Sequence, residues 1–90
     1  MKNSKKIRSK LKERYGDRCV YCGCYVGDNF TIDHVRAKSR GGTNGINNMV
    51  VSCEDCNRDK DDLSFDEFHA RYTTGFFRDD ILKLYFPQYY

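Results

Sequence analysis

Cys19-Val-Tyr-Cys22 and Cys53-Glu-Asp-Cys56, two cysteine pairs with the same two-residue spacer, set the terms on which this 90-residue chain can fold. A two-residue spacer lets the backbone turn back and offer two thiolates from one knuckle. Two knuckles complete the four soft ligands of a structural zinc site. The gap between the pairs exceeds that of an ordinary zinc ribbon, so a folded segment is expected between the halves. Energetics point the same way. A chain this short, 39% hydrophobic and 32% charged, has little core of its own and needs a staple. Structural zinc supplies on the order of 10 kcal/mol of folding free energy. The fifth cysteine, Cys24, makes the count odd, which argues against an all-disulfide framework. Taking Cys24 in place of Cys22 would break the two-residue spacing, so it is read as a spare, half-buried residue.

Outward from the knuckles, the segments read as one α+β domain over residues 1–90. Its core spans about 19–62, with a basic helix over 1–18 and a helical extension over 63–90. In the first helix Ser4 is placed to cap and Gly16 to stop it after Tyr15. Ile7, Leu11 and Tyr15 make one apolar stripe at i, i+4, i+8. Phe30, Ile32 and His34 alternate with polar residues, which predicts a short strand near 29–34. Ser39 to Asn47 is dense in Gly and Asn and reads as a loop. Met49-Val50-Val51 is a second short strand. Glu54 to about Asp62 reads as a helix with two acids in its first turn. Ser64 and Glu67 match a capping box for a helix to about Tyr72, with Phe65, Phe68 and Tyr72 buried and Gly75 interrupting. The aromatics at 65, 68, 72, 76 and 77 read as core, and His69 as a surface or packing residue. A last helix runs near 79–86 and ends before Pro87. The Tyr89-Tyr90 tail carries no signal.

The net charge of +3 conceals an asymmetry. Residues 1–18 carry eight Lys or Arg against Glu13 and Asp17, a net of +6, whereas residues 61–90 carry a net of −3. A basic end that includes Lys5 and Lys6 suggests a polyanionic partner, DNA first and RNA second. No apolar run of signal-peptide or membrane-spanning length occurs, so the expected compartment is the reducing cytoplasm, with no membrane partner. There, paired cysteines favour metal over disulfide.

Between and just beyond the knuckles lie Asp33-His34, Gly41-Gly42, Asn48, Asn57 and Lys60. Phosphodiester hydrolysis needs a water made nucleophilic near neutral pH, and His has a suitable pKa. It also gains from a hard cation that takes up charge on the leaving oxygen. Asp33 and Asn57 offer one carboxylate and one carboxamide oxygen, a sparse shell suited to a cation completed by phosphate and water. Adjacent Asp33 and His34 point to opposite faces of a regular strand, so the strand must end or twist there if both serve one site.

The pattern of two Cys-x-x-Cys pairs, Asp33-His34, Gly41-Gly42, Asn48, Asn57 and Lys60 resembles the HNH endonucleases, whose core is a ββα-metal or His-Me finger. The resemblance implies a metal-dependent DNA endonuclease leaving 5′-phosphate and 3′-hydroxyl ends. It implies His34 as general base and Asn48 as the brace that fixes its loop. Asp33 and Asn57 would be ligands of one catalytic ion. Asn57 stands where His is frequent, which favours Mg²⁺ or Mn²⁺ over Zn²⁺ there. It implies Zn²⁺ on Cys19, Cys22, Cys53 and Cys56, and a phosphate contact for Lys60, with Arg36, Lys38 and Arg40 as further candidates. Many members carry Pro where this chain has Ala37, a change in loop stiffness. The alternative is a zinc-stapled nucleic-acid-binding module without catalysis, from which the intact set Asp33, His34, Asn48 and Asn57 argues away. The protein would act as a monomer, a homodimer or part of a larger assembly. A thiol redox protein would need a thioredoxin-like βαβ context that the pattern lacks.

Overall fold

Chain order alone would let the two knuckles lie far apart; the pairing of two short strands brings them together. In this computed structural model, which describes residues 4–71 and 77–90, β1 (Thr31–His34) runs antiparallel to β2 (Met49–Ser52). The register places Ile32 opposite Val51 and His34 opposite Met49. Every residue of β2 is buried, because α1 (Ser4–Tyr15) and the first knuckle both pack against this strand. The first knuckle joins the sheet directly, since Val20 N–H donates to the Val51 carbonyl at 3.0 Å.

Helix α1 buries the stripe its sequence offers: Leu11 and Tyr15 are inside and Ile7 packs at the edge. Gly16, at φ +80°, ends it, and its N–H closes on the Lys12 carbonyl at 2.7 Å. A residue with a Cβ would be strained there. On the solvent side Lys12 pairs with Asp28, and the Arg8 guanidinium lies 4.0 Å from the Phe30 ring centre.

After β2 the chain enters α2 (Glu54–Lys60) with Cys53 as its cap; the Cys53 Sγ accepts the Cys56 N–H at 3.4 Å. Helix α2 lies along β1 and stops at Lys60, two residues before the expected end, because Asp61 turns out of the helix at φ +49°. The capping box predicted for α3 (Phe65–Arg71) is formed in both directions. Ser64 N–H donates to Glu67 Oε1 at 2.9 Å and Glu67 N–H to Ser64 Oγ at 3.1 Å. Helix α4 (Asp79–Tyr85) precedes Pro87, as its sequence predicts. Tyr21, Phe65, Phe68, Phe77, Leu82 and Phe86 are core residues shared between these helices and the first knuckle. The expectations resting on the Ser4 side chain, Tyr72, Gly75 and Phe76 lie outside the described residues.

The 39–47 segment is a loop that holds short 3-10 turns at Lys38–Arg40 and Ile46–Asn48, and two other readings change. Cys24 is exposed rather than half-buried, and its carbonyl accepts the Cys19 N–H at 2.9 Å. The tail has a place in the packing, with Tyr89 stacked on Phe65 at 4.6 Å between ring centres and the Tyr90 hydroxyl 2.5 Å from Asp79 Oδ1. His69 packs edge-on to Phe77 and its Nε2 sits 3.1 Å from that same Asp79 oxygen, in keeping with a packing residue. No helix among the described residues is long and apolar enough to cross a membrane.

Candidate active site

The four knuckle sulfurs all lie within 4.8 Å of one another. A tetrahedral zinc with Zn–S bonds of about 2.3 Å sets its sulfurs about 3.8 Å apart. The Cys22 and Cys53 Sγ atoms are 3.7 Å apart, so the donor set fits such an ion. Backbone N–H groups converge on the sulfurs, as thiolates require: Tyr21 N–H on Cys19 Sγ at 3.3 Å, and Cys56 N–H on Cys53 Sγ. The hydrogen bond from the Cys56 thiol holds Cys19 down to about 4, far below an ordinary thiol, and the same bond pushes Cys56 up. Four sulfurs this close cannot all be thiolates without a cation between them, which is the chemistry zinc supplies. Cys24 is not among these four.

The second knuckle leads straight into the next group of polar residues. On α2, Asn57 follows Cys56 and its Nδ2 donates to the Ile32 carbonyl at 3.2 Å. Because that partner is a carbonyl, the carboxamide nitrogen must face it, which turns Oδ1 away from the strand backbone. One turn on, Lys60 is fully buried and its ammonium donates to the His34 carbonyl at 2.8 Å. The same ammonium lies 3.4 Å from Asp33 Oδ2. The phosphate contact expected of Lys60 is therefore corrected: at 0% exposure its charge serves β1, not a ligand in solvent.

Asp33 is 3% exposed, and Oδ2 also accepts the Tyr21 hydroxyl at 2.6 Å. Burial raises the pKa of Asp33, opposed by Lys60 and by the Tyr21 hydrogen bond. Burial, followed by the adjacent Asp33 charge, pushes the Tyr21 phenol well up, so the hydroxyl keeps its proton and donates. His34 closes β1, and its half-buried ring sets Nε2 3.0 Å from Asn44 Oδ1 in the following loop. The strand thus ends at His34, as the alternating pattern near 29–34 predicts.

Asn48 braces that loop with one carboxamide. Its Oδ1 accepts Arg36 N–H at 2.9 Å, and its Nδ2 donates to the Arg36 and Thr43 carbonyls at 3.0 and 2.9 Å. It acts on loop backbone, and the ring of His34 is met by Asn44 instead. Gly42 completes the turn by close approach, since a Cβ there would stand 1.7 Å from the Arg36 carbonyl oxygen. Arg36, Lys38 and Arg40 are exposed; Arg36 Nε donates to the Arg40 carbonyl and Arg40 pairs with Glu67 at 3.3 Å. Lys5 and Lys6 are exposed on α1, whose far end meets the loop through Arg14 and Asn47 at 3.2 Å.

Sequence reasoning missed Tyr21 and Asn44. A Tyr inside a buried knuckle has a hydroxyl that needs a partner, and that was the available signal. Asn44 looks like any loop-forming Asn.

Two strands, a helix lying along the first, and a thiol cluster at the helix start define a small metal-binding ββα finger. Residues 19–63 match the HNH endonuclease family, and the chain belongs to it. It is 29% identical over 87 residues to YoqL, an SPbeta prophage-derived protein of Bacillus subtilis (strain 168) that carries the HNH endonuclease name; the match covers 83% of this chain and 36% of YoqL. It is 34% identical over 61 residues to the CRISPR-associated endonuclease Cas9 of Actinomyces naeslundii, covering 66% of this chain and 6% of Cas9. The crystal structure of the Type II-C Cas9 enzyme from Actinomyces naeslundii superposes with a TM-score of 0.71 at 26% identity, over 88% of this chain and 9% of that one. The chain therefore spans about a third of one relative and a small part of the other.

Proposed function

We propose that this chain is a metal-dependent DNA endonuclease that hydrolyses phosphodiester bonds to 5′-phosphate and 3′-hydroxyl ends. What carries the reading is membership of the HNH family combined with an unbroken set of Asp33, His34, Asn48 and Asn57 on the ββα finger.

In this reading His34 takes the proton from the attacking water. The Asn44 carboxamide oxygen beside Nε2 accepts a hydrogen bond only if Nε2 carries the proton. With that proton on Nε2, Nδ1 is the nitrogen left to accept one from water. Lys60 holds the His34 backbone, and Asn48 holds the loop that follows it. Asp33 and Asn57 supply carboxylate and carboxamide oxygens for one Mg²⁺ or Mn²⁺. That ion, when bound, neutralises charge on the scissile phosphate and the leaving 3′-oxygen. Zn²⁺ on the four cysteines would be structural, because four thiolates leave it no open position. Lys5, Lys6, Arg36, Lys38 and Arg40 present positive charge to the DNA backbone.

The test is incubation with supercoiled plasmid, with and without Mg²⁺ or Mn²⁺, of wild type beside His34→Ala. The expected result is metal-dependent nicking or cleavage by wild type and none by the variant at unchanged DNA affinity. Equal cleavage by both overturns the assignment of His34. DNA binding without cleavage by wild type identifies a binding module instead.

A further inference from the structure

Tyr21 stands between the two cysteines of the first knuckle and touches both sites. Its backbone N–H donates to the Cys19 sulfur at 3.3 Å, and its hydroxyl donates to Asp33 Oδ2 at 2.6 Å. The ring between these ends has no freedom. It is 0% exposed, with the Phe68 and Phe77 ring centres each 5.1 Å away. The Lys60 ammonium approaches that same Asp33 oxygen, at 3.4 Å. Two donors thus converge on Oδ2, while Oδ1 has no donor among the described residues.

We infer that Tyr21 is a positioning residue: it clamps the Asp33 carboxylate so that one oxygen, Oδ1, is offered to the divalent cation, and it ties the aim of that oxygen to the thiol cluster. The inference rests on the reading of Asp33 as a ligand of that cation. A carboxylate free to turn binds a cation through one oxygen or both. Mg²⁺ and ions of similar size demand short bonds and near-octahedral angles, whereas Ca²⁺ accepts bidentate carboxylates and irregular shells. A carboxylate fixed through Oδ2 therefore favours the smaller ions. Partners that orient a metal ligand in this way carry about tenfold in affinity.

The experiment is Mn²⁺ titration of zinc-loaded protein followed by electron paramagnetic resonance, with Ca²⁺ as competitor, on wild type, Asp33→Ala and Tyr21→Phe. Zinc content and circular dichroism are measured alongside. The expected result is loss of the Mn²⁺ site in Asp33→Ala. In Tyr21→Phe, Mn²⁺ affinity falls about tenfold, Ca²⁺ competes more effectively than in wild type, and zinc stays bound. Unchanged Mn²⁺ affinity and unchanged discrimination in Tyr21→Phe, with the site lost in Asp33→Ala, overturn the inference and leave Asp33 as a ligand. Wild-type Mn²⁺ binding by Asp33→Ala overturns the ligand reading itself, and the inference with it. If Tyr21→Phe loses its zinc, 3-fluorotyrosine at position 21 decides. Its fluorine resonance is expected to shift saturably with Mg²⁺, and not to shift when Asp33 is Ala; a resonance silent to Mg²⁺ in the otherwise wild-type protein overturns the inference.

Discussion

The ammonium of Lys60 lies 2.8 Å from the carbonyl oxygen of His34, so the last residue of α2 holds the last residue of β1 from inside the protein. A cation this deep is kept by its partners, here that carbonyl and Asp33, and removing it leaves the carboxylate buried without its counter-charge.

Lys60→Met is therefore expected to cost about 3 kcal/mol in denaturant unfolding. The slope of log affinity for DNA against log salt should stay as in wild type, because no phosphate contact is lost. Arg36→Ala is expected to do the reverse, with unchanged stability and a salt slope reduced by about one. A reduced slope for Lys60→Met at unchanged stability would return Lys60 to the DNA surface.

The thiol cluster should separate from the spare cysteine. Cys56→Ser, or a strong chelator, is expected to unfold the protein, seen as loss of helical circular dichroism, since structural zinc contributes on the order of 10 kcal/mol. Cys24→Ser should bind one zinc per chain and melt with wild type. Loss of zinc from the Cys24 variant would place that exposed thiol in the metal shell.

Ala37→Pro should stabilise the loop after His34. Ala37 already sits at φ −56°, within the range proline imposes, and its N–H has no partner among the described residues. Its carbonyl, which accepts the N–H groups of Arg40 and Gly42, survives the change. The expected gain is about 0.4–1 kcal/mol, through lost freedom of the unfolded chain. A lower melting temperature would show that the ring does not fit.

The capping box gives a pH dependence of known sign. Hydrogen bonds from the Ser64 backbone and hydroxyl, in that order, hold the Glu67 carboxyl below the usual carboxylate range. Its folded pKa lies under its unfolded one, so its contribution is present above the unfolded value and fades as pH falls through the folded value. Glu67→Gln keeps a capping oxygen but removes the charge. The difference in melting temperature between wild type and Glu67→Gln is expected to shrink as the pH falls from about 5 to 3. A constant difference would show that the carboxylate charge adds nothing to the cap.

What could be read from residue order alone follows the distance over which the physics acts. The Ser64–Glu67 box, the Gly16 stop, the two strands and the knuckles each depend on residues a few positions apart, and each appears where its pattern put it. The partners of Tyr21 and Lys60 lie 12 and 26 residues away, and no local pattern specifies them. A Lys one turn beyond Asn57 looks like a surface cation until β1 is seen to run beside it. Asn44 and Asn48 are similar as loop residues. The family resemblance singles out Asn48 for the loop, but only the fold shows that Asn44 is the one that meets the His34 ring.

Helix α2 is seven residues long and starts from a cysteine cap. From Cys53 to Lys60 it presents two thiols, a carboxamide and an ammonium, each with its own target. One residue inserted or deleted in this stretch would rotate everything after it by about 100°. Every group beyond the change would leave its target, whether the thiol cluster, the Ile32 carbonyl or the Asp33 carboxylate. A length change here is thus expected to cost more than one in the loops, and the spacing from Cys53 to Lys60 works as a fixed ruler by which the thiol cluster and the Asp33 carboxylate are set against each other.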